Sequence, residues 1–340
     1  MNILVTGGTG SMASHTVLAL LAAGHRLVLL DNLANSNIEV LDRLAQLSGQ
    51  KPTFYQADIA NDAALRAIFS AHAFDAVIHF AGLKAVGEST REPLRYYREN
   101  VAGSLQLLEI MQEFAVKSLI FSSSATVYGD PTTLPLTEES PIQPQSVYGR
   151  TTWMVEQISA DHCQADPTFS AVCLRYFNPV GAHPSGLIGE DPRGVPNNLL
   201  PFISQVAVGR RPVLSVFGND YPTHDGTGVR DYIHVQDLAS GHCSALQLAQ
   251  TPGCHRFNLG TGTGVSVLEM VEAFRQISGH PVPLQLCPRR DGDVAACYAQ
   301  PTKAQQQLGW QATLGLQEMV TDTWRWQQQN PQGYQREEAQ

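Results

Sequence analysis

An α/β fold built on a doubly wound parallel sheet is what this 340-residue sequence predicts, and three observations predict it. Short apolar runs alternate with helix-like stretches through the first half. The first run ends in the glycine-rich turn Thr6-Gly7-Gly8-Thr9-Gly10, and the second ends on a carboxylate, Asp31. Runs that are apolar throughout need cover on both faces, which a parallel sheet flanked by helices provides. A glycine-rich turn between strand and helix, with an acidic residue about 20 positions on, is the pattern of a Rossmann-type dinucleotide site.

Each element follows in order. Residues 2–6 form the first strand, and residues 15–23 carry apolar residues at helical spacing until Gly24. Residues 26–30 make a second strand and 37–48 a helix. Phe54-Tyr55-Gln56, with Asp58 in its exit loop, is the third strand; 75–80 and 117–122 are the fourth and fifth. The second half is richer in Pro, Gly and Asn, notably at 181–194 and 212–228, and long loops of this kind in an enzyme commonly bind ligands. Helices are expected at about 196–209, 236–250, 266–278 and 315–328, and the polar tail 331–340 is expected to fray. The division expected is residues 1–175 as the dinucleotide-binding domain and 176–340 as mainly a smaller C-terminal α/β substrate domain, with part of that half returning to the first.

Composition bounds the function. The net charge of -9 argues against a nucleic-acid or anionic-membrane binder, which would need a basic face. None of the six cysteines forms a C-x-x-C pair, so no metal site is expected and free thiols are. Met1-Asn2 leads directly into Ile3-Leu4-Val5 with no basic stretch, and no apolar run reaches the roughly 20 residues that span a bilayer, so a cytoplasmic protein is expected.

In the first turn, Gly7 permits a tight bend and Gly10 lets the backbone approach a pyrophosphate at the helix N-terminus. Alone such a turn is also an ordinary strand-to-helix connector. Asp31 favours the dinucleotide reading, because a carboxylate ending the second strand can bond the adenosine ribose hydroxyls. No Arg follows it in sequence, which favours NAD over NADP.

Four long strings carry more specificity: HFAGLKAVGES (79–89), FSSSATVYGD (121–130), LRYFNPVGAHPSG (174–186) and FGNDYPTHDGTGVRDYIHV (217–235). With them the chain resembles the UDP-glucose 4-epimerase family of the extended short-chain dehydrogenase/reductase superfamily, from residue 2 to about 334. The resemblance implies an NAD-binding Rossmann domain, a UDP-sugar-binding domain, and inversion of a hexose at C4 through a transient 4-keto sugar. It implies Tyr148 as the base for the 4-hydroxyl proton and Ser124 as its hydrogen-bonding helper. The cofactor positions it implies are Gly7, Gly10, Ser11, Met12, Asp31, Asn32, Asn35, Ser36, Asp58, Ile59, Phe80, Ala81, Gly82, Lys84, Glu99, Tyr148 and Phe177. The family commonly dimerises through two long helices, here about 92–114 and 148–164, so a homodimer is implied.

The chain departs from that pattern at the cofactor end. The family motif is Tyr-x-x-x-Lys; here Tyr148 is followed by Gly149-Arg150-Thr151-Thr152, so Thr152 replaces the Lys. A Thr offers a hydrogen bond but no charge to lower a phenol from its ordinary value of roughly 10. Arg150, two residues on, should point off the shared helix face; Lys84 lies on a different loop. Ser11-Met12-Ala13 replace the usual Tyr-Ile-Gly, and Glu99 stands where the family has an Asn.

The second half keeps the pattern. Asn178, Asn198, Leu199, Phe217, Arg230, Arg290 and Asp293 resemble the UDP-sugar contacts, and guanidinium forks suit a diphosphate. Asn198 opens an expected helix, where its side chain caps the helix or touches ligand. At Cys297 the family carries either a bulky Tyr or a small residue beside the hexose; the small thiol implies room for the 2-acetamido group of UDP-GlcNAc and UDP-GalNAc, or is a buried thiol without a selectivity role. Two function classes stay open: the epimerase, and a UDP-sugar-binding homologue with weak or no activity because of Thr152. A dehydratase is less well supported, since Ala125-Thr126 occupies the place of its acidic pair, and no nucleophile-elbow pattern surrounds Ser124.

Overall fold

The computed structural model describes residues 1–194, 196–290 and 292–334. Its strands are β1 (Asn2–Thr6), β2 (Arg26–Asp31), β3 (Thr53–Gln56), β4 (Ala76–His79), β5 (Ser118–Ser124), β6 (Ser170–Tyr176), β7 (Asn178–Val180), β8 (Leu214–Phe217), β9 (Val229–His234), β10 (Gly253–Leu259), β11 (Gly264–Ser266), β12 (Leu284–Cys287) and β13 (Ala296–Cys297). Seven of them form one all-parallel sheet in the order β10-β6-β5-β4-β1-β2-β3. The doubly wound α/β expectation is met. The five strands expected in the first half are present; β6 and β10, which sequence periodicity did not reveal, extend the sheet beyond β5.

Both faces of this sheet are covered. In β1, Ile3 and Val5 pack into one core with Val17, Leu20 and Leu29, while Leu4 packs into the other with Leu30, Val77 and Leu107. Successive strand residues point to opposite faces, so a buried two-sided strand must be apolar at every position. The sheet winds outward in both directions from the β1/β4 pair, and a ligand crevice is expected beyond the strand C-termini at that reversal.

The second half adds two small sheets over a third core. β9 pairs in parallel with β7 and β13 and antiparallel with β11, and β8 pairs in parallel with β12. The expected helices appear at Leu199–Ala207, Val235–Leu248, Val267–Ser278 and Leu316–Gln329. The first is shorter than expected because Asn198 holds extended backbone at its start and Gly209 turns left-handed just past its end. Ser266 and Glu269 close a capping box on the third.

Two details differ from expectation. The stretch 92–114 is not one regular helix: Pro93–Tyr96 and Gly103–Glu113 flank a π-helical segment, Tyr97–Ala102. The tail is anchored as far as Tyr334, whose ring packs on Trp326 and under Arg43 and whose hydroxyl donates to the Gly189 carbonyl at 3.1 Å; residues 335–340 lie outside the described residues. Among the described residues no helix is long and apolar enough to cross a membrane.

Candidate active site

The β1/β4 reversal brings together the glycine-rich turn and the loop 80–84. Gly7 adopts a φ of +66°, and a Cβ there would meet the Ala81 backbone nitrogen at 2.8 Å, so only glycine allows this approach. Phe80 and Ala81 thereby lie beside the turn that leads to Gly10, Ser11 and Met12, and Gly82 and Lys84 follow on the same loop, Gly82 against Asn100 and Lys84 paired with Glu190. The helix Ser11–Ala22 begins after Gly10 with no side-chain cap, which leaves its first-turn N–H groups for a ligand. The Ser11 hydroxyl is buried there with no hydrogen-bond partner, a further donor suited to a phosphate oxygen.

Asp31 ends β2 next to this turn. Its Oδ2 accepts from Thr9 N–H at 3.1 Å, and its Oδ1 from Leu33 N–H at 2.8 Å and the Ser36 hydroxyl at 3.0 Å. A carboxylate has about four acceptor sites, so these bonds fix its orientation and leave one for a ribose hydroxyl. Asn32 donates to Asp58 at 2.7 Å, tying the exit loops of β2 and β3. Ile59 is buried against Gly103, whose Cβ would fall 2.8 Å from the Ile59 side chain. The uncapped turn, the partnerless Ser11 hydroxyl and the oriented Asp31 together fit an NAD. No arginine directly follows Asp31 in sequence, yet the fold brings one in: Arg193 donates its backbone N–H to Asn35 and its guanidinium to the Ser36 carbonyl.

Tyr148 stands in the first turn of the helix Val147–Ala165, which Ser146 caps through Gly149 N–H. The Ser124 hydroxyl at the end of β5 accepts from Thr126 twice, at 3.2 Å from its N–H and 3.0 Å from its hydroxyl. Its own hydrogen is therefore left free, and Ser124 acts on the Tyr148 phenol in the direction that favours its ionised form. Thr152 has one hydroxyl hydrogen, and it points at the Tyr148 carbonyl one turn back at 3.1 Å as well as lying beside the phenol. Burial pushes the Tyr148 phenol above its ordinary value, against the opposing pull of Ser124, Lys84 and Thr152. Arg150 is turned away as expected: its guanidinium reaches the Gln145 carbonyl.

Glu99 lies half-buried in the π-helical segment, where its charge bears on Arg95. Its neighbour Asn100 is a clamp for the Lys84 loop, accepting from Leu83 N–H at 2.8 Å and donating to the Leu83 carbonyl at 2.9 Å and the Thr151 hydroxyl at 3.1 Å. Below Ser124 lies a buried ion pair. Arg175 and Glu156, 1% and 0% exposed, pair through two bonds of 2.9 and 2.7 Å, and Arg256 and Ser123 also bond Glu156.

The expected nucleotide-sugar residues gather on the second half. Arg230 is level with Cys297 across the β9–β13 pairing. Arg290 lies over the Phe217 ring at 4.6 Å and pairs with Asp293 at 2.9 Å. Phe177 packs with Cys297 in a small apolar cluster, and burial pushes the Cys297 thiol up to about 11. Asn178 opens β7, and Leu199 is the first residue of its helix. Asn198 makes no cap bond; its amide donates instead to Glu190 at 2.7 Å. The same Glu190 pairs with Lys84 at 3.2 Å.

Sequence reasoning missed Glu190, Arg193 and Tyr221. Tyr221 is buried beneath Arg289 and its hydroxyl has no partner. All three sit in irregular loops, where no periodicity marks them.

Comparison with known proteins agrees with this geometry. The family model described as GDP-mannose 4,6 dehydratase matches residues 4–323. A UDP-glucose 4-epimerase from Bacillus subtilis (strain 168) is 55% identical over 335 residues, covering 98% of this chain and 99% of its own. The solved UDP-glucose 4-epimerase from Bifidobacterium longum, in complex with NAD+ and UDP, superposes with a TM-score of 0.96 at 48% identity, covering 98% of this chain and 100% of its own. The UDP-Glc/GlcNAc 4-epimerase from Campylobacter jejuni does so with 0.84 at 35% identity, covering 96% and 99%. The chain belongs to the UDP-glucose 4-epimerase family, within the extended short-chain dehydrogenase/reductase superfamily.

Proposed function

We propose that this protein is an NAD-dependent UDP-hexose 4-epimerase that interconverts UDP-glucose and UDP-galactose through a transient 4-keto sugar. The observation that carries the reading is the placement of Tyr148 in the first turn of its helix, with Ser124 at the end of β5 and the cationic Lys84 both favouring its phenolate. Tyr148 takes the C4 hydroxyl proton and returns it to the same oxygen once the keto sugar has turned over, so that C4 is reduced on its other face. Ser124 holds the phenol and the 4-oxygen in register. NAD, when bound, supplies the hydride acceptor and donor. Gly7, Gly10, Ser11 and Met12 would hold its pyrophosphate and Asp31 its adenosine ribose, with Asn32, Asn35, Ser36, Asp58, Ile59, Phe80, Ala81, Gly82, Lys84, Glu99 and Phe177 around it. Arg230 and Arg290 would bind the UDP diphosphate, and Asn178, Asn198, Leu199, Phe217 and Asp293 the rest of the nucleotide sugar. In this reading residues 1–175, with later segments returning to them, serve NAD, and the remainder serves the UDP-sugar.

Cys297 extends the substrate range to UDP-GlcNAc and UDP-GalNAc, since a thiol leaves more space than a tyrosine would. We also place the protein in the cytoplasm as a homodimer built on the helical stretches 93–113 and 147–165; sedimentation at micromolar concentration tests the dimer.

A second reading has its own support. Tyr148 is less acidic than a free tyrosine and Thr152 brings no charge, which suits a UDP-sugar-binding homologue with little turnover. Incubation with UDP-galactose, with and without added NAD, separates the two. Formation of UDP-glucose at an ordinary epimerase rate removes the binding-protein reading; UDP binding without turnover removes the enzyme.

A further inference from the structure

We propose that Glu190 is a positioning residue, one carboxylate oxygen of which holds both Lys84, beside the candidate base, and Asn198, at the expected nucleotide-sugar site. The inference deepens the epimerase reading and rests on it. The geometry is direct: Glu190 Oε1 lies 3.2 Å from Lys84 Nζ and 2.7 Å from Asn198 Nδ2. Its side chain is 18% exposed while that of Lys84 is 56% exposed, so the carboxylate is the fixed partner and the lysine the one that is held. The loop carrying Glu190 is itself tied across the crevice. Gly189 is bonded by Tyr334, and Arg193 reaches Asn35 and Ser36 at the far end of the dinucleotide site. Glu190 therefore has a defined position between two sets of residues that are separate in sequence.

Thr152 makes this position matter. The groups bearing on Tyr148 are Lys84 from the loop after β4, Ser124 from β5, Thr152 from its own helix, and Tyr176 from β6. Of these only Lys84 is cationic. Lys84 in turn is held by Glu190, whose charge is the largest influence on it, with Tyr148 the other group in reach. Glu190 thus offsets part of the positive charge available to stabilise a Tyr148 phenolate. On its other side, the bond from Asn198 replaces the helix cap that residue could make and turns its amide toward the loop.

Two variants separate the two arms. Glu190→Gln keeps an acceptor for Asn198 and removes the charge; Glu190→Ala removes both. Tyr148 ionisation is read in the purified protein as the phenolate absorbance that disappears on Tyr148→Phe, and UDP affinity by calorimetry. In Glu190→Gln the ionised fraction of Tyr148 at a fixed pH rises about threefold, with UDP affinity within about twofold of the parent. Glu190→Ala shows the same rise and binds UDP about five- to tenfold more weakly, as loss of one orienting hydrogen bond predicts. With Lys84→Met in place, the effect on Tyr148 vanishes. An unmoved Tyr148 titration in Glu190→Gln, its persistence without Lys84, or unchanged UDP affinity in Glu190→Ala overturns the assignment. If the parent protein shows no epimerase turnover, the function proposed above fails, while both readouts remain measurable and still decide the role of Glu190.

Discussion

Replacing Thr152 with Lys tests whether the missing charge limits the chemistry. Thr152 is 4% exposed and its hydroxyl lies against both the Tyr148 carbonyl and the phenol, so a longer side chain from this position is directed along the same face. An ammonium about 4 Å from a phenolate, at an effective dielectric near 20, contributes about 4 kcal/mol. At about 1.4 kcal/mol per decade, that is a gain on the order of 10³ in phenolate population. Burial of the new ammonium takes back part of this, and Lys84 already supplies some charge, so a rise in kcat of about 10² is expected. That falls within the roughly 10²–10⁴ attributed to a positioned acid–base helper. The assay is kcat for UDP-galactose across pH in NAD-loaded protein, where the acidic limb should also move to lower pH. Thr152→Met supplies length without charge and should give neither effect. A folded Thr152→Lys protein with unchanged kcat and an unmoved limb would refute the argument and leave Lys84 as the sufficient cation.

Three other outcomes follow from the structure. Glu156→Ala strands Arg175 at 1% exposure, a loss of about 3–5 kcal/mol for one partner of a buried pair. For 340 residues at about 2.1 cal/mol/K each, this lowers Tm by roughly 4–7 °C, and a scanning-calorimetry shift under 1 °C would contradict it. His15, His79 and His242 are held down to about 4 by burial, from 6.5. The unfolded chain therefore takes up more protons between these values, so stability is complete above about pH 6.5 and falls as the pH drops toward 4. Urea midpoints that stay level from pH 7 to 4.5 would count against this. Cys297→Tyr should abolish turnover of UDP-GlcNAc and spare that of UDP-galactose; equal loss of both would show that position 297 does not select the sugar.

The first half of the fold was legible because its strands are uninterrupted apolar runs and its turns carry glycine. β6 and β10 escaped notice for a physical reason. β6 buries Arg175 near its end, its charge paired with Glu156 from a distant helix, and β10 carries His255 and Arg256. A charge in a strand reads as exposed until its partner is known. At the site, Asp31 was legible because it ends a regular strand, while Tyr148 and Ser124 were legible only through the family resemblance that the long strings carry. Glu190 and Arg193 were not, since their meaning lies in contacts more than 100 residues away along the chain. Tyr334 shows the same limit: one aromatic in a polar tail gave no sign that it closes over Arg43.

The place of β10 at the sheet edge also bears on biosynthesis. β6 is complete at Tyr176, but its outer neighbour begins only at Gly253. At about 5–20 residues per second, the ribosome needs roughly 4–15 seconds to deliver the missing strand. During that time β6 presents an unpaired backbone edge to which any extended segment could add. A nascent chain stalled between those two points would expose that edge for as long as the stall lasts, making this interval the window in which chaperone capture or self-association is most expected.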